Sequence, residues 1–600
     1  MARLTKVTIS WAKHFWLSVL SSTIAFTIGG IIVLIIGICI VATLVGGSST
    51  PTNIKDNSLL HVRLSGIVGE QQADNTLTAI IGTDDATIGL HQTIKALALA
   101  KNDDKIKGVW LEGGTLVADP ASLQELRKAL NDFKQSGKPI YAYADNYLQG
   151  TYYLCSVADK VVLNPVGTVD WHGLSSQILF YKDLMAKLGV RMQVYKVGTY
   201  KSAVEPYTET QMSAANREQV TAFLDDIWQT YLDDVSDSRN IARQELYSLA
   251  DNFMGLARSV DIKNCGLVDT LMYKDEFTDM LKKKIGIDAE EKLNLVNPET
   301  LCALESQTVG DNKIAIYYAE GEVVDMPEMG LATGSTIVAP EMNKELQRLA
   351  DDKTVKAVVI RVNSGGGSAY ASEQIWHNID KLAKKKPVVI SMGGMAASGA
   401  YYLSAGADYI FAEPATLTGS IGIFGMIPDI SELLTDKLSL KYDIVKTNAL
   451  ADFGNMGRPF NPEEEKRLQA YIDNGYSLFL KRVADSRKMT TAQVDSIAQG
   501  RVWTGKQAVR IGLVDKLGSL QDAVKYAAAK AKLGDKYTTV DLPLLKPWYA
   551  EFMLDSSAEK VYSKPLRAVL GELYEPLQIM QSLKNGCRVY ARVPYIINIK

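Results

Sequence analysis

Short apolar segments alternate with helical patterns along most of this chain. The apolar segments at 107–111 and 356–360 have the composition of buried strands, and the apolar residues within 122–130 and 372–383 recur at helical spacing. Strands that alternate with helices of about 10–15 residues are typical of βα units in a largely parallel sheet. The pattern therefore predicts an α/β fold.

The two halves of the chain are diverged copies of each other. Thr-Tyr-Tyr-Leu at 151–154 recurs as Ala-Tyr-Tyr-Leu at 400–403, and Ala-Asp at 158–159 recurs at 407–408, both at an offset of 249 residues. Several predicted strands of the first half also have matching strands in the second half. We therefore expect two tandem domains of one fold, and a length of 600 residues is itself too long for one ordinary domain.

Long helical stretches at 214–256 and 462–499 follow the core of each half, and they either carry contacts between halves or subunits or only cover the sheets. The predicted segments are a cytoplasmic N-terminus (1–14), a transmembrane anchor (15–46), a linker (47–56), an N-terminal repeat domain (57–305), a C-terminal repeat domain (306–540) and a C-terminal extension (541–600). The extension lies beyond the repeat, and its sequence suggests no chemistry.

The N-terminal segment predicts a membrane anchor. No charged residue occurs from 15 to 54, and the most apolar part, 25–45, has 21 residues, which is enough for a bilayer-spanning helix. The apolar region of a cleaved signal peptide is shorter, at about 7–15 residues. Because Arg3, Lys6 and Lys13 precede the segment, the positive-inside rule keeps the N-terminus cytoplasmic and places the body of the chain on the exported side.

Charge and composition exclude several classes of function. A net charge of −3 provides no overall basic field for nucleic acid. The 5 cysteines and 5 histidines are scattered and show no metal-ligating spacing, so we expect neither a metal nor another cofactor. Any chemistry must then come from ordinary side chains.

Each copy of the repeat keeps a different member of one reactive pair. Ser398 stands just before the tyrosine motif of the second copy, where the first copy has Leu-Gln-Gly at 148–150. Lys201 belongs to the first copy, where the second copy has Ala451. A serine in one half and a lysine in the other suggest a Ser/Lys hydrolase whose site needs both halves.

A nucleophile and an oxyanion hole are predicted around Ser398. A strand is expected to end near Met392, and small residues then allow a tight turn that places Ser398 at a helix N-terminus, where developing negative charge is favoured. A triple-glycine loop follows a buried strand, and glycines let backbone N–H groups approach a ligand. We expect the N–H groups of Gly399 and of Gly366 or Gly367 to hold the oxyanion.

Lys201 is the predicted general base, since no histidine is positioned by a motif. Burial must lower the pKa of this lysine from about 10.4 to about 7, which costs about 4–5 kcal/mol of differential solvation. The site must be dry, and the carboxylate of Glu205 must be turned aside. Ser420, in a Thr-Gly-Ser-Ile-Gly turn, is placed to orient the lysine. Taken singly, each of these is more often a packing, capping or turn residue, and only their combination with the split repeat is specific.

On these residues the sequence resembles the signal peptide peptidases of the protease IV type, in their long, double-domain form. The resemblance runs from the membrane anchor to about residue 540, and it is carried by the segments 200–206, 361–364, 396–399, 418–422 and 512–515. It implies a Clp-protease/crotonase-like core in each half, with Ser398 as nucleophile, Lys201 as general base and Ser420 as the hydroxyl that assists the lysine. The family often has a proline at the position of Gly365, so we expect a less rigid loop here and a modest effect on rate.

The resemblance also implies the substrate and the assembly. The substrates would be remnant signal peptides and other short hydrophobic peptides, and we expect them to add as a strand beside the glycine loop. The protein would be a homotetramer at the inner membrane, with residues 15–46 in the lipid bilayer and the catalytic body on the periplasmic side. No cofactor is implied.

Two other functions stay open on the sequence alone. A crotonase-type acyl-thioester enzyme would share the fold and its glycine-rich loops, although an exported body argues against cytoplasmic acyl-CoA as substrate. A non-catalytic scaffold, or pseudo-peptidase, is the second alternative, because the first copy has already lost catalytic residues. Thioester turnover, or acylation of Ser398 by an active-site probe, would discriminate between these functions.

Overall fold

The computed structural model describes residues 15–16, 18, 21–23, 27–30, 53–71, 87–304, 312–326, 335–455, 457–544 and 589–592. The chain divides into a small unit, residues 1–55 with 303–305, and a large unit formed by the rest. The residues described between 15 and 30 are helical. Within the described ranges, no helix combines the length and the apolar character needed to cross a membrane. Most of the predicted anchor, 15–46, lies outside those ranges.

The strands of the large unit are β1 (Ser58–Gly69), β2 (Thr87–Gly89), β3 (Ile106–Val117), β4 (Ile140–Ala144), β5 (Lys160–Leu163), β6 (Arg191–Lys196), β7 (Thr270–Leu271), β8 (Asn294–Val296), β9 (Lys313–Glu320), β10 (Glu322–Val324), β11 (Thr336–Val338), β12 (Val355–Ser364), β13 (Gly366–Ser368), β14 (Val388–Ala397), β15 (Tyr409–Ala412), β16 (Leu417–Gly419), β17 (Phe424–Asp429), β18 (Val502–Thr504), β19 (Lys516–Leu517), β20 (Thr538–Leu542) and β21 (Val589–Arg592).

The α-helices are Leu90–Asn102, Pro120–Lys134, Gln149–Cys155, Lys182–Leu188, Glu205–Thr208, Ala214–Arg239, Arg243–Asp251, Ser259–Asn264, Lys274–Ile285, Pro298–Leu304, Ala339–Asp351, Ala369–Ala383, Gly399–Ser404, Pro462–Arg487, Thr491–Ile497, Gly505–Arg510 and Leu520–Lys530. Short 3-10 turns occur at Ser202–Val204 and Met254–Leu256, and a π turn at Leu433–Lys437.

The sequence repeat is visible as one sheet built twice. Strands of the first half pair in the order β8-β1-β3-β4-β5-β7, all parallel, with β2 pairing with the far end of β1. The second half repeats this order as β20-β9-β12-β14-β15-β19, again all parallel. The prediction of two tandem α/β domains is confirmed.

Burial of both sheet faces explains why the strands appear in the sequence as continuous apolar runs. In β12, the four residues from Ala357 to Ile360 are all 0% exposed, so neighbouring side chains on opposite faces are equally buried. The predicted helical stretches are also present. Each half has one helix of 26 residues, and the residues that follow these helices, Asn240 and Lys488, both have positive φ.

A third sheet joins the two halves, in the order β11-β10-β13-β21-β17-β6. Strand β6 belongs to the first half and β17 to the second, and they pair antiparallel from Phe424 opposite Lys196 to Asp429 opposite Arg191. Since Lys201 follows β6 and Ser420 precedes β17, this pairing brings residues that are far apart in the sequence to one place.

The structure corrects one boundary and adds one strand. Strand β14 does not end near Met392 but continues to Ala397, because Met395, Ala396 and Ala397 pair with β16. The C-terminal extension, whose sequence suggests no chemistry, contributes β21 to the third sheet. The strand that leads to Ser398 is therefore longer than predicted, and its last residues lie beside the turn that carries Ser420.

Candidate active site

Ser398 occupies a strained turn between β14 and the helix Gly399–Ser404. Its φ of 57° and ψ of −115° lie in a region that residues other than glycine rarely adopt. The Ser398 N–H donates to the carbonyl oxygen of Gly419 at 2.8 Å, which fixes the turn. Strain of this kind persists where the surrounding structure holds it, and it concentrates at active sites. A serine on a sharp strand-to-helix turn is also the arrangement of a nucleophile elbow.

Three predicted site residues meet within one chain. Lys201 Nζ lies 2.7 Å from Ser398 Oγ and 3.0 Å from Ser420 Oγ. Lys201 Nζ also donates to the Ser420 carbonyl oxygen at 3.1 Å. The lysine comes from the first half and both serines from the second, so the contact joins the members of the split pair.

The surroundings of Lys201 are buried, and the described residues place no carboxylate against its amine. Lys201 is 1% exposed, and its burial lowers its pKa to about 7. Within the described residues no acidic side chain forms an ion pair with Lys201. Glu205 instead accepts hydrogen bonds from Ser213 Oγ at 2.6 Å and Asn216 Nδ2 at 2.8 Å. The carboxylate four residues from the lysine is thus engaged elsewhere.

A loop of the second half holds the backbone of Lys201. The Tyr200 N–H donates to the carbonyl oxygen of Gln499 at 2.8 Å. A Cβ placed on Gly500, which has a φ of 79°, would lie 2.6 Å from the backbone nitrogen of Lys201. Only glycine permits this approach. The sequence analysis missed Gly500, since a lone glycine between a helix and a strand resembles an ordinary turn.

Two of the predicted oxyanion glycines lie in the third sheet. Gly366 has a φ of 96°, and its N–H donates to Ser364 Oγ at 3.1 Å. Gly367 stands opposite Val323 of β10, and a Cβ there would lie 2.2 Å from the Val323 carbonyl oxygen. Gly399 is the first residue of the helix after Ser398. The oxyanion hole stays a prediction, as does the rate effect of Gly365.

Comparison with known proteins identifies the family. The model of peptidase family S49 matches residues 132–288 and again residues 380–534, and the model of Clp protease matches residues 333–417. The chain is 37% identical over 563 residues to protease 4 of Salmonella typhi, covering 91% of this chain and 90% of that protein. The chain belongs to peptidase family S49. As an S49 member it is a serine peptidase, with one Clp-protease-like α/β domain in each half.

Other relatives agree with the S49 assignment. Protease 4 of Haemophilus influenzae is 38% identical over 453 residues, which cover 73% of this chain and 72% of that protein. A putative signal peptide peptidase SppA of Enterococcus faecium is 35% identical over 243 residues, which cover 40% of this chain and 69% of that protein. The assignment favours the peptidase over the acyl-thioester enzyme and the non-catalytic scaffold.

Proposed function

We propose that this chain is a Ser/Lys endopeptidase that degrades remnant signal peptides and other short hydrophobic peptides. The observation that carries the mechanism is the 2.7 Å approach of Lys201 Nζ to Ser398 Oγ, at a lysine that is 1% exposed. The substrate class rests on the similarity to a protein named as a putative signal peptide peptidase. Hydrolysis of such peptides is therefore the activity to test first.

The geometry suits a neutral lysine as general base. A neutral amine has two N–H donors and one lone pair, and Ser420 offers two acceptors to Lys201 Nζ, its Oγ and its carbonyl oxygen. The lone pair is then left for the Ser398 hydroxyl proton. As Lys201 takes that proton, Ser398 Oγ attacks the scissile carbonyl carbon. Lys201 next protonates the leaving amine as the C–N bond breaks, and water hydrolyses the acyl-enzyme.

The oxyanion of each tetrahedral intermediate would be held by backbone N–H groups. Gly399 and either Gly366 or Gly367 are the proposed donors. The Gly366 N–H already donates to Ser364 Oγ, so its use requires that hydrogen bond to break. Gly367 and Gly399 form the alternative pair, which needs no such exchange with Ser364.

The proposal also covers the membrane location and the oligomeric state of the protein. The uncharged segment from 15 to 54 and the three basic residues before it support a single-pass anchor over 15–46 in the inner membrane. The repeat domains, 57–305 and 306–540, would then lie on the periplasmic side. A homotetramer is proposed from the family resemblance, and cross-linking of the full chain in detergent would measure it.

The function is tested with the full chain in detergent. We expect it to cleave a synthetic signal peptide with a Leu/Ala-rich core, and to cleave poorly a matched peptide whose core carries Asp and Lys. A fluorophosphonate should acylate Ser398, as read by mass spectrometry of the modified peptide. Turnover of an acyl thioester without peptide cleavage, or no acylation of Ser398, would contradict the proposal.

The activity should depend on pH through Lys201. Because the pKa of Lys201 is lowered to about 7, kcat/KM is expected to fall about tenfold per pH unit below pH 7 and to level off above it. The rate of Ser398 acylation by the probe should show the same midpoint, since it needs the same base. A profile that is flat from pH 5.5 to 8 would exclude a lysine base with this pKa.

Ser420 is proposed as a positioning residue for Lys201. Ser420→Ala removes one of the two acceptors, so we expect kcat to fall about 10- to 100-fold with little change in KM. Since an acceptor favours the charged lysine, its loss should also move the acid limb to lower pH. Ser404→Ala is the matched control: this hydroxyl is equally buried but donates only to the Ala400 carbonyl oxygen, 2.7 Å away. Equal losses in both variants would indicate a packing effect.

A further inference from the structure

Gln219 is a polar residue on the buried face of a long helix of the first half. This helix, Ala214–Arg239, packs against β18 of the second half. The Gln219 side chain is 1% exposed and lies one helical turn before Phe223, at a position where an amphipathic helix ordinarily places an apolar residue. A buried amide costs free energy unless its donors and its acceptor find partners. The partners of Gln219 therefore indicate its role.

One side of the Gln219 amide binds the segment that carries Lys201. Its Nε2 donates to the Tyr200 carbonyl oxygen at 3.1 Å and to Ser202 Oγ at 3.0 Å. Tyr200 and Ser202 are the residues directly before and directly after Lys201. The amide therefore holds the chain on both sides of the lysine.

The other side of the amide binds the strand that fixes the two serines. The Val502 N–H donates to Gln219 Oε1 at 3.1 Å. In the pairing of β16 with β18, Val502 stands opposite Gly419, whose carbonyl oxygen accepts from the Ser398 N–H. The Ser420 N–H donates to the carbonyl oxygen of the residue before Val502, at 2.7 Å. One side chain thus connects the lysine segment with the backbone that holds both serines.

The surroundings of Gln219 fit an amide in one orientation. Two carbonyl oxygens, of the Tyr200 backbone and of the Asn216 side chain, face Nε2, while a backbone N–H faces Oε1. Asn216 Nδ2 donates to Glu205 at 2.8 Å, so Asn216 presents its oxygen to Gln219. An apolar side chain of the same size would leave these groups unpaired, and a carboxylate would lack the donors. The same network also engages the Glu205 carboxylate away from Lys201.

We propose that Gln219 is a positioning residue that sets the distance between Lys201 Nζ and Ser398 Oγ. The inference rests on the proposed peptidase function. The lysine belongs to the first half and the serine to the second, so their 2.7 Å approach depends on how the halves are fixed beside the site. Gln219 supplies a direct bridge at that place. A misplacement of about 1 Å between reacting groups can cost about 100-fold in rate.

Gln219→Met tests the positioning role in the full chain. Methionine keeps the length of the side chain but makes none of the four hydrogen bonds of the amide. We expect kcat on a signal peptide to fall about 10- to 100-fold, with KM changed less than about twofold. The rate at which a fluorophosphonate acylates Ser398 should fall by the same factor, since acylation needs the same base and nucleophile. Wild-type kcat and acylation in a folded Gln219→Met chain would overturn the inference.

The matched control is Gln124→Met. Gln124 also lies on a helix of the first half, is 7% exposed, and accepts a backbone N–H of the second half, that of Ala415, at 2.9 Å. Among the described residues, its amide makes no hydrogen bond to the segments that carry Lys201 and Ser420. Gln124→Met should therefore keep the wild-type kcat even where its melting temperature falls. Equal losses of kcat in both variants would overturn the inference, because any contact between the halves would then have the same effect.

Gln219→Glu is the second variant, for the case in which Gln219→Met does not fold. It keeps the size of the amide and an acceptor for the Val502 N–H, but its ionised form has no donor for the Tyr200 carbonyl oxygen. At pH 9 we expect its kcat to be about tenfold lower or more, with KM kept, and a wild-type kcat would overturn the inference. A wild-type chain that is not acylated at Ser398 would contradict the proposed function and the inference with it. Acylation of the wild type and of both Gln219 variants at one rate would contradict the inference alone.

Discussion

Full-length protein with Ser398→Ala or with Lys201→Met is expected to lose at least about 10⁴-fold in kcat/KM on a signal peptide. Ser398→Ala removes the nucleophile, and Lys201→Met removes the only basic group in contact with Ser398 Oγ among the described residues. Lys196→Met is the matched control. Lys196 lies on β6, the strand that precedes Lys201, but its side chain is exposed. That control should keep near-normal activity.

An equimolar mixture of the two inactive chains is expected to stay inactive. The 2.7 Å contact between Lys201 Nζ and Ser398 Oγ forms within one chain, so each inactive chain lacks one member of its own pair. Activity that returns on mixing would mean that lysine and serine are shared between chains. Activity that remains in Lys201→Met alone would show that another group is the base.

Stability provides a check that the inactive lysine variant is folded. Since burial lowers the folded pKa of Lys201 to about 7, the unfolded chain binds more protons than the folded chain between pH 7 and its ordinary lysine pKa. The burial of Lys201 therefore lowers the free energy of unfolding of the wild-type protein most below pH 7, and this free energy increases as the pH rises. Lys201→Met lacks this penalty, so its melting temperature should be at least that of the wild type at pH 6. A lower melting temperature at that pH would indicate a packing defect.

The sequence predicts which residues form the candidate site better than it predicts which strand pairings bring those residues together. The split repeat and the short motifs predict Ser398, Lys201 and Ser420 as site residues, because such residues are marked by their identity within a motif. The pairing of β6 with β17 brings them together, and this long-range contact leaves no local periodic signal. The last residues of β14 are missed for the same reason, since they depend on pairing with β16.

Buried charge is a second feature that the sequence does not reveal. Arg361 belongs to a motif of the second half. In the structure its side chain is 1% exposed, and it lies between Glu70 and Glu125 of the first half. Its Nε lies 2.7 Å from Glu70 and its Nη2 lies 2.7 Å from Glu125. Charged residues in a helix pattern such as 122–130 are ordinarily solvated, so nothing in the sequence marks Glu125 as buried.

The two halves therefore meet around a desolvated ion cluster. Asn363 Nδ2 donates to Glu70 at 2.9 Å, and the Leu520 N–H donates to Glu125 at 2.9 Å, so both carboxylates have further partners. Burial nevertheless raises the pKa of Glu70, and Arg361 opposes that effect. The cluster is stable as a complete set, and removal of its one cation leaves two buried carboxylates without a counter-ion.

Arg361→Met is expected to lower the free energy of unfolding by about 3–5 kcal/mol at pH 7, because it keeps the volume of the stem but unpairs Glu70 and Glu125. Without the cation nothing offsets the burial of these carboxylates, so the folded pKa of Glu70 rises further above its ordinary value. The loss should then be smaller near pH 4, where carboxyl groups are largely protonated, and should grow as the pH rises. Denaturant titration of the full chain at both pH values measures this.

The controls for Arg361→Met come from the same interface. Lys128→Met breaks an ion pair with Asp522 that also joins the halves, but these side chains are 55% and 39% exposed, so its cost should stay below about 1 kcal/mol. Adding Glu70→Gln and Glu125→Gln to Arg361→Met removes the unpaired charges and should restore most of the lost stability at pH 7. If the triple variant is as unstable as Arg361→Met, packing around the guanidinium, and not its charge, accounts for the contribution of Arg361 to stability.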